Sequence, residues 1–312
     1  MADQPPLAAH AAQAQSPSAG ALNLDHAAHF VADIDAASAA LQQMGFTLTP
    51  FSPQEHRLAP DLPLVAAGTA NRCVMLQAGY LEFLCPVGDT PMAAQLQAAM
   101  ARYVGVHLIA FGTAAPQADA ARLQANGFAP LPIVDLQRTI GTADGERTAR
   151  FTVVRVAPGR MAEGRIQYCQ QRTPELLWQP RWLTHANGAV GLAAVIVCVA
   201  QPREAAMRYG AFTGVTASEV NGGFRLALER GDLIITDAQT VERSFSVTPA
   251  AMPWIAGYVL ESSDLAAARN CARAAGCAVV EREGSRFAAV APAAVGGLIV
   301  YQSPGAGLLE LA

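Results

Sequence analysis

The sequence predicts an α+β fold made of four copies of one βαβββ unit, two copies to each half. Three observations carry this. Short apolar strand-like runs alternate with small-residue helical stretches along the chain. Each helical stretch stops at a glycine, namely Gly45, Gly127, Gly214 and Gly276. Residues 24–46 (LDHAAHFVADIDAASAALQQMGF) and 105–128 (GVHLIAFGTAAPQADAARLQANGF) share one layout: strand, helix, Gly-Phe. Each is followed by a short apolar strand after a glycine, GYLEFL (79–84) and GRIQYC (164–169).

In the first unit, His26–Val31 reads as the opening strand. Asp33 or Asp35 caps a helix that runs to about Met44. Phe46–Pro50 begins the second strand, and a Pro-rich loop spans His56–Pro63. Ala70–Leu76 and Tyr80–Leu84 are the third and fourth strands, joined by a turn at Gly79. The second unit runs from Val106 to Cys169, with its helix at Gln117–Asn126 and later strands at Arg150–Val156 and Arg165–Cys169. The third opens at Leu192–Val199, has a helix at Arg203–Phe212, and closes with Phe224–Leu228 and Leu233–Thr236. The fourth opens at Ile255–Leu260, has a helix at Asp264–Ala275, and closes with Arg286–Val290 and Leu298–Tyr301.

Domains are expected at 22–173 (units 22–86 and 103–172) and 189–312, joined by a polar connector at 174–188. Residues 1–21 are rich in Ala, Gln, Pro and Ser without periodicity and are expected to be disordered. The chain of 312 residues is 52% hydrophobic and 15% charged, ample for a large core. A net charge of −4 without basic runs argues against nucleic acid. No apolar run is long enough for a membrane helix. Six scattered cysteines without CxxC spacing, and no signal-peptide pattern, point to reduced thiols in the cytoplasm. Monomer and homodimer both remain open.

Polar residues recur at matching places of the two first-half units: His26 and His107 on the opening strands, Glu82 and Gln167 on the closing ones. An unpaired carboxylate in an apolar strand is costly, so Glu82 needs a partner or a purpose. In the second half the matching places are Ala194 or Val195, Ala256 or Gly257, Ile234 and Val300, all apolar or glycine.

With a His on the first strand and a Glu on the last, tandem units of this kind resemble the vicinal oxygen chelate superfamily, which includes glyoxalases and extradiol dioxygenases. LDHAAHFVADID resembles the superfamily's opening strand and helix, and GTANRCVML followed by GYLEFL (68–84) is similar to its glyoxalase-like domain family. The resemblance implies curved sheets paired around a cleft that holds one divalent metal ion, whether Fe, Ni, Zn or Mn. It would assign His26, Glu82, His107 and Gln167 as ligands, with Glu82 and Gln167 nearest the chemistry. Two imidazoles and one carboxylate match an iron(II) triad, and a second carboxylate would suit glyoxalase-type proton transfer better. Gln167 stands where that carboxylate is expected.

The implied activity is a lyase, isomerase or ring-cleaving dioxygenase acting on a small oxygen-rich substrate. The alternative is a small-molecule binding or resistance protein of the same fold. Arg72 and Asn71 are candidates to hold substrate, against a surface salt bridge for Arg72. Trp178, Trp182 and His185 on the connector either wall a pocket or pack the halves together. His29, three residues from His26, reads as structural.

Overall fold

The computed structural model describes residues 7–57, 63–282 and 286–311. A short helix, α1 (Leu7–Gln13), precedes the first unit. That unit comprises β1 (Leu22–Phe30), α2 (Ile34–Gln43), β2 (Ser52–Arg57), β3 (Leu64–Met75) and β4 (Tyr80–Pro86). After α3 (Pro91–Met100), the second unit comprises β5 (Gly105–Thr113), α4 (Pro116–Ala125), β6 (Val134–Thr142), β7 (Gly145–Arg155) and β8 (Arg165–Gln171). The connector holds α5 (Pro174–Leu177) and a 3-10 turn at Pro180–Trp182. The third unit comprises β9 (Ala189–Cys198), α6 (Pro202–Thr213), β10 (Ser218–Val220), β11 (Gly223–Ala227) and β12 (Asp232–Thr236). After α7 (Ala238–Phe245), the fourth comprises β13 (Trp254–Ser262), α8 (Leu265–Ala274), β14 (Ala278–Arg282), β15 (Arg286–Val290) and β16 (Leu298–Gln302).

The expected unit recurs four times. In each, the first strand pairs in parallel with the last: β1 with β4, β5 with β8, β9 with β12 and β13 with β16. Opening strands pair antiparallel within each half, β1 with β5 and β9 with β13. A contact of Ile255 with Val106 joins the halves into one large sheet of mixed direction. Helices start where capping residues allow. Asp33 accepts from the backbone N–H groups of Asp35 and Ala36, and Asp264 from that of Ala267.

Three features differ from the sequence reading. The second strand lies at Ser52–Arg57 instead of Phe46–Pro50, as an edge strand pairing with β3. An edge tolerates Pro53, and its polar face carries no apolar alternation to betray it. Helices α3 and α7, between units, were not expected. Residues 7–21 are ordered, contrary to their composition: Ala11 and Ala12 are buried, and the Gln15 side chain accepts from Gly79 N–H at 3.0 Å. Residues 1–6, and 58–62 of the Pro-rich loop, lie outside the described residues.

Candidate active site

Each opening strand carries a β-bulge at the same point. The β1–β5 register pairs His26 with Ala110 and Ala28 with Leu108, and it slips by one residue on either side. The residues left over are Asp25 on β1 and His107 on β5. The β9–β13 pair has matching slips at Ala193 and Ala256. A bulge turns the chain so that adjacent side chains leave the simple alternation. The residues after the bulges on β1 and β5, His26 and Leu108, line the first-half cavity, and Ala194 and Gly257 hold the matching places in the second half. His107 is therefore the counterpart of Asp25, and Leu108 is the counterpart of His26. The sequence match of His26 to His107 is one residue out of register.

On the closing strands the register runs as the repeat predicts. Glu82 lies opposite Ala28, Gln167 opposite Ala110, Ile234 opposite Ile196 and Val300 opposite Val259. Three of the sequence candidates, His26, Glu82 and Gln167, line one cavity of about 230 Å³ in the first half. Asn71 joins them from β3.

The polar groups of this cavity are held from behind. His26 Nδ1 lies 2.6 Å from Asp25 Oδ2. Asp25 is fully buried and also accepts from Gln171 Nε2 at 3.1 Å. A carboxylate on Nδ1 fixes the proton there and leaves the Nε2 lone pair free. That Nε2 lies 3.9 Å from Glu82 Oε2. The other carboxylate oxygen, Oε1, accepts from Asn71 Nδ2 at 2.5 Å and from Gln54 Nε2 at 3.4 Å. Gln54 is itself fixed, accepting from Thr69 Oγ1 at 2.7 Å. Tyr80 stacks on the His26 ring with centroids 4.4 Å apart. Gln167 Oε1 is buried without a hydrogen-bond partner.

Three arginines line the same cavity, and the sequence reading missed them: Arg138, Arg155 and Arg165. Arg155 lies directly opposite Gln167 in the β7–β8 register, and Arg165 is two residues before Gln167 on β8. Period-2 spacing from Gln167 was the available signal.

The remaining candidates lie elsewhere. The His107 Nε2–H donates to the Tyr103 carbonyl at 2.7 Å, and its ring stacks on Tyr103. Burial pulls its pKa down to about 4, so the ring is neutral. The Arg72 guanidinium donates to the Thr49 carbonyl at 3.2 Å, away from the cavity. Trp178 is buried behind Tyr80, edge to face, with Nε1–H donating to the Leu76 carbonyl at 2.8 Å. Trp182 lines a separate pocket with Phe51 and Gln179, and His185 Nε2–H donates to the Met75 carbonyl at 2.8 Å. His29 bridges the halves, as a structural residue would, through Val295 O and the Tyr258 hydroxyl.

A family model described as a glyoxalase-like domain matches residues 24–213. The chain belongs to the glyoxalase-like domain family. Solved structures agree on the fold. A hypothetical protein from Staphylococcus aureus aligns at TM-score 0.61 and 12% identity, covering 90% of this chain and 99% of its own. A mutant of 4-hydroxymandelate synthase from Streptomyces coelicolor aligns at TM-score 0.55 and 14% identity, covering 93% and 95%. A fusion of a xylose isomerase-like TIM barrel with 4-hydroxyphenylpyruvate dioxygenase aligns at TM-score 0.55 and 13% identity, covering 94% of this chain and 50% of its own. A comparison with curated proteins finds no match. The glyoxalase/dioxygenase fold of the vicinal oxygen chelate superfamily is thus established for this chain.

The donors present suit a divalent ion in part of the expected way. His26 Nε2, Glu82 Oε2 and the unpartnered Gln167 Oε1 offer one nitrogen and two oxygens from three strands. Among the described residues no cluster of three or more His, Cys, Asp or Glu is placed to hold a metal, because the third donor here is an amide. The fourth place of the repeat is filled by Leu108.

Proposed function

We propose that the first-half cavity is the active site of a glyoxalase-like enzyme that moves a proton next to a carbonyl of a small oxygen-rich substrate. One observation carries the reading. His26 and Glu82 each have one polar atom tied to a buried partner, and the other atoms face each other 3.9 Å apart in the cavity. That is a preorganised centre, and preorganised polar groups are what a reacting carbonyl needs. His26, Glu82 and Gln167 would hold the divalent ion, which would act as a Lewis acid on the substrate oxygens.

The protein's own groups supply the rest. Glu82 Oε2 is placed to take the proton, while Asn71 and Gln54 hold its sister oxygen. Asp25 keeps the His26 ring in one orientation. Tyr80 and Leu84 wall off water on that side. The dioxygenase reading is weaker for a specific reason. Leu108 occupies the place where a second imidazole would complete the iron(II) triad. Six free cysteines, five of them buried, fit a cytoplasmic setting. No helix among the described residues is long and apolar enough to cross a membrane.

Metal analysis of protein purified without chelator tests this. One divalent ion per chain is expected, lost in His26→Ala and in Glu82→Ala and retained in His107→Ala. No bound ion, with no gain in melting temperature on adding Ni, Zn, Mn or Fe(II), would overturn it and leave the binding-protein reading.

A further inference from the structure

The cavity holds more positive charge than its own carboxylates can answer. Arg138, Arg155 and Arg165 line it against Glu82 and the exposed Glu55. None of the three forms an ion pair among the described residues, whereas Arg208, Arg122 and Arg225 each have a carboxylate partner. Arg155 Nε and Arg138 Nε are buried without hydrogen-bond partners. Arg138 makes one long hydrogen bond, donating to Asn71 Oδ1 at 3.4 Å, and lies over the Phe151 ring. Arg165 reaches Gln95 Oε1 at 3.5 Å and lies over the Phe30 ring. Arg155 and Arg165 are both half-buried.

Two like-charged guanidiniums on one face, both partly desolvated, are an unfavourable arrangement without a counter-ion. A stable protein keeps such a pair where something anionic arrives to sit between them. Guanidinium forks match the planar oxygens of carboxylate and the oxygens of phosphate.

Leu108 lies between Glu82 and Arg165 in the strand register, and Leu136, Phe151 and Val153 add apolar lining to the same cavity. At about 230 Å³ the space lies below the roughly 300–1,000 Å³ usual for drug-sized ligands.

We propose that Arg155 and Arg165, with Arg138 at the edge, form an oxyanion-recognition corner that selects small substrates carrying a carboxylate or phosphate group. The acid group docks on the β7–β8 side, and the reacting oxygens are thereby aimed across the apolar wall at His26 and Glu82. The selectivity rests on the cavity being the active site. It does not depend on metal occupancy.

Titration calorimetry on protein stripped of metal with the neutral chelator 1,10-phenanthroline, then dialysed, separates the two. Malonate and inorganic phosphate are the charged probes, and dimethyl malonate is the neutral control. Saturable binding of malonate or phosphate is expected, with none of the diester, and the tighter anion names the acid group. Arg155→Met and Arg165→Met should each weaken that binding at least about tenfold. Arg155→Lys and Arg165→Lys, which keep the charge, should recover part of it. Should a Met variant fail to fold, the Lys variants and the diester control on native protein still decide. Equal affinity in native and Met variants, equal binding of the diester, or no binding of either anion would overturn the proposal.

Discussion

The two halves of this protein are built alike and furnished differently. Both pair two βαβββ units along their opening strands, and both carry the same bulges. In the first half the space between the units is a polar cavity. In the second half Ile196, Ile234, Val259 and Val300 occupy the matching positions, and Phe245, Leu309 and Leu311 pack over them. Gly257 closes the option further. It stands at the place of His26 with φ of +155°, and a Cβ there would lie 1.7 Å from the Leu298 carbonyl oxygen. No side chain fits there, so the fourth unit cannot carry a ligating residue at this place. A common backbone therefore sets where a site can be, and a handful of side chains decide whether one exists.

The sharpest way to break the comparison is to exchange its key residues. Ile234→Glu puts an unpaired carboxylate into the apolar cluster of the second half, with no counterpart of Asn71 or Gln54. It should cost about 4 kcal/mol, read from the denaturation midpoint. Glu82→Ile in the first half should leave the fold standing and remove bound metal.

The seam between the halves can be opened by acid. His29 on β1 is buried against Val295 and Tyr258 of the fourth unit, and burial lowers its pKa from 6.5 to about 4. A histidine with a depressed folded pKa stabilises fully above its unfolded value and loses that contribution as pH falls through the folded one. Stability should hold above about pH 6.5 and decline toward pH 4, by about 3 kcal/mol for this residue. His29→Phe should flatten that part of the profile in thermal melts.

Two smaller effects concern the bulges. Asp25→Asn weakens the hold on His26 Nδ1 and should lower metal affinity about 10- to 100-fold, measured by competition with a chromogenic chelator. Leu108→His restores an imidazole at the place symmetric to His26. It should raise metal affinity about tenfold, the smallest of these changes. Unchanged affinity would show that Leu108 does not face the ion.

Much of the architecture was legible because glycine stops and apolar periods mark the units plainly. Gly45, Gly127, Gly214 and Gly276 end their helices where read. Ser52–Arg57 escaped because an edge strand has a wet face and tolerates proline. α1 escaped because the residues that bury it against Leu177, Trp178 and Leu183 are the small Ala11 and Ala12, which mark no apolar period.

The site was legible in part. Glu82 and Gln167 stood out as polar residues in apolar strands, and their equivalence is the one the β4 and β8 registers show. His107 misled because its spacing to Phe111 copies that of His26 to Phe30, while the bulges shift the true correspondence by one residue. A bulge leaves no mark in a residue pattern. Arg155 and Arg165 were overlooked because an arginine near a strand end reads as a surface charge until the register shows what faces it.

The segment that carries Leu309 and Leu311 gives the second cleft a further meaning. Leu309 and Leu311 sit in it as a ligand would, but they are covalently tethered. A tethered group is present at an effective concentration that free molecules in solution rarely match. Any molecule that would reach Ile234 and Val300 must first displace this tethered segment.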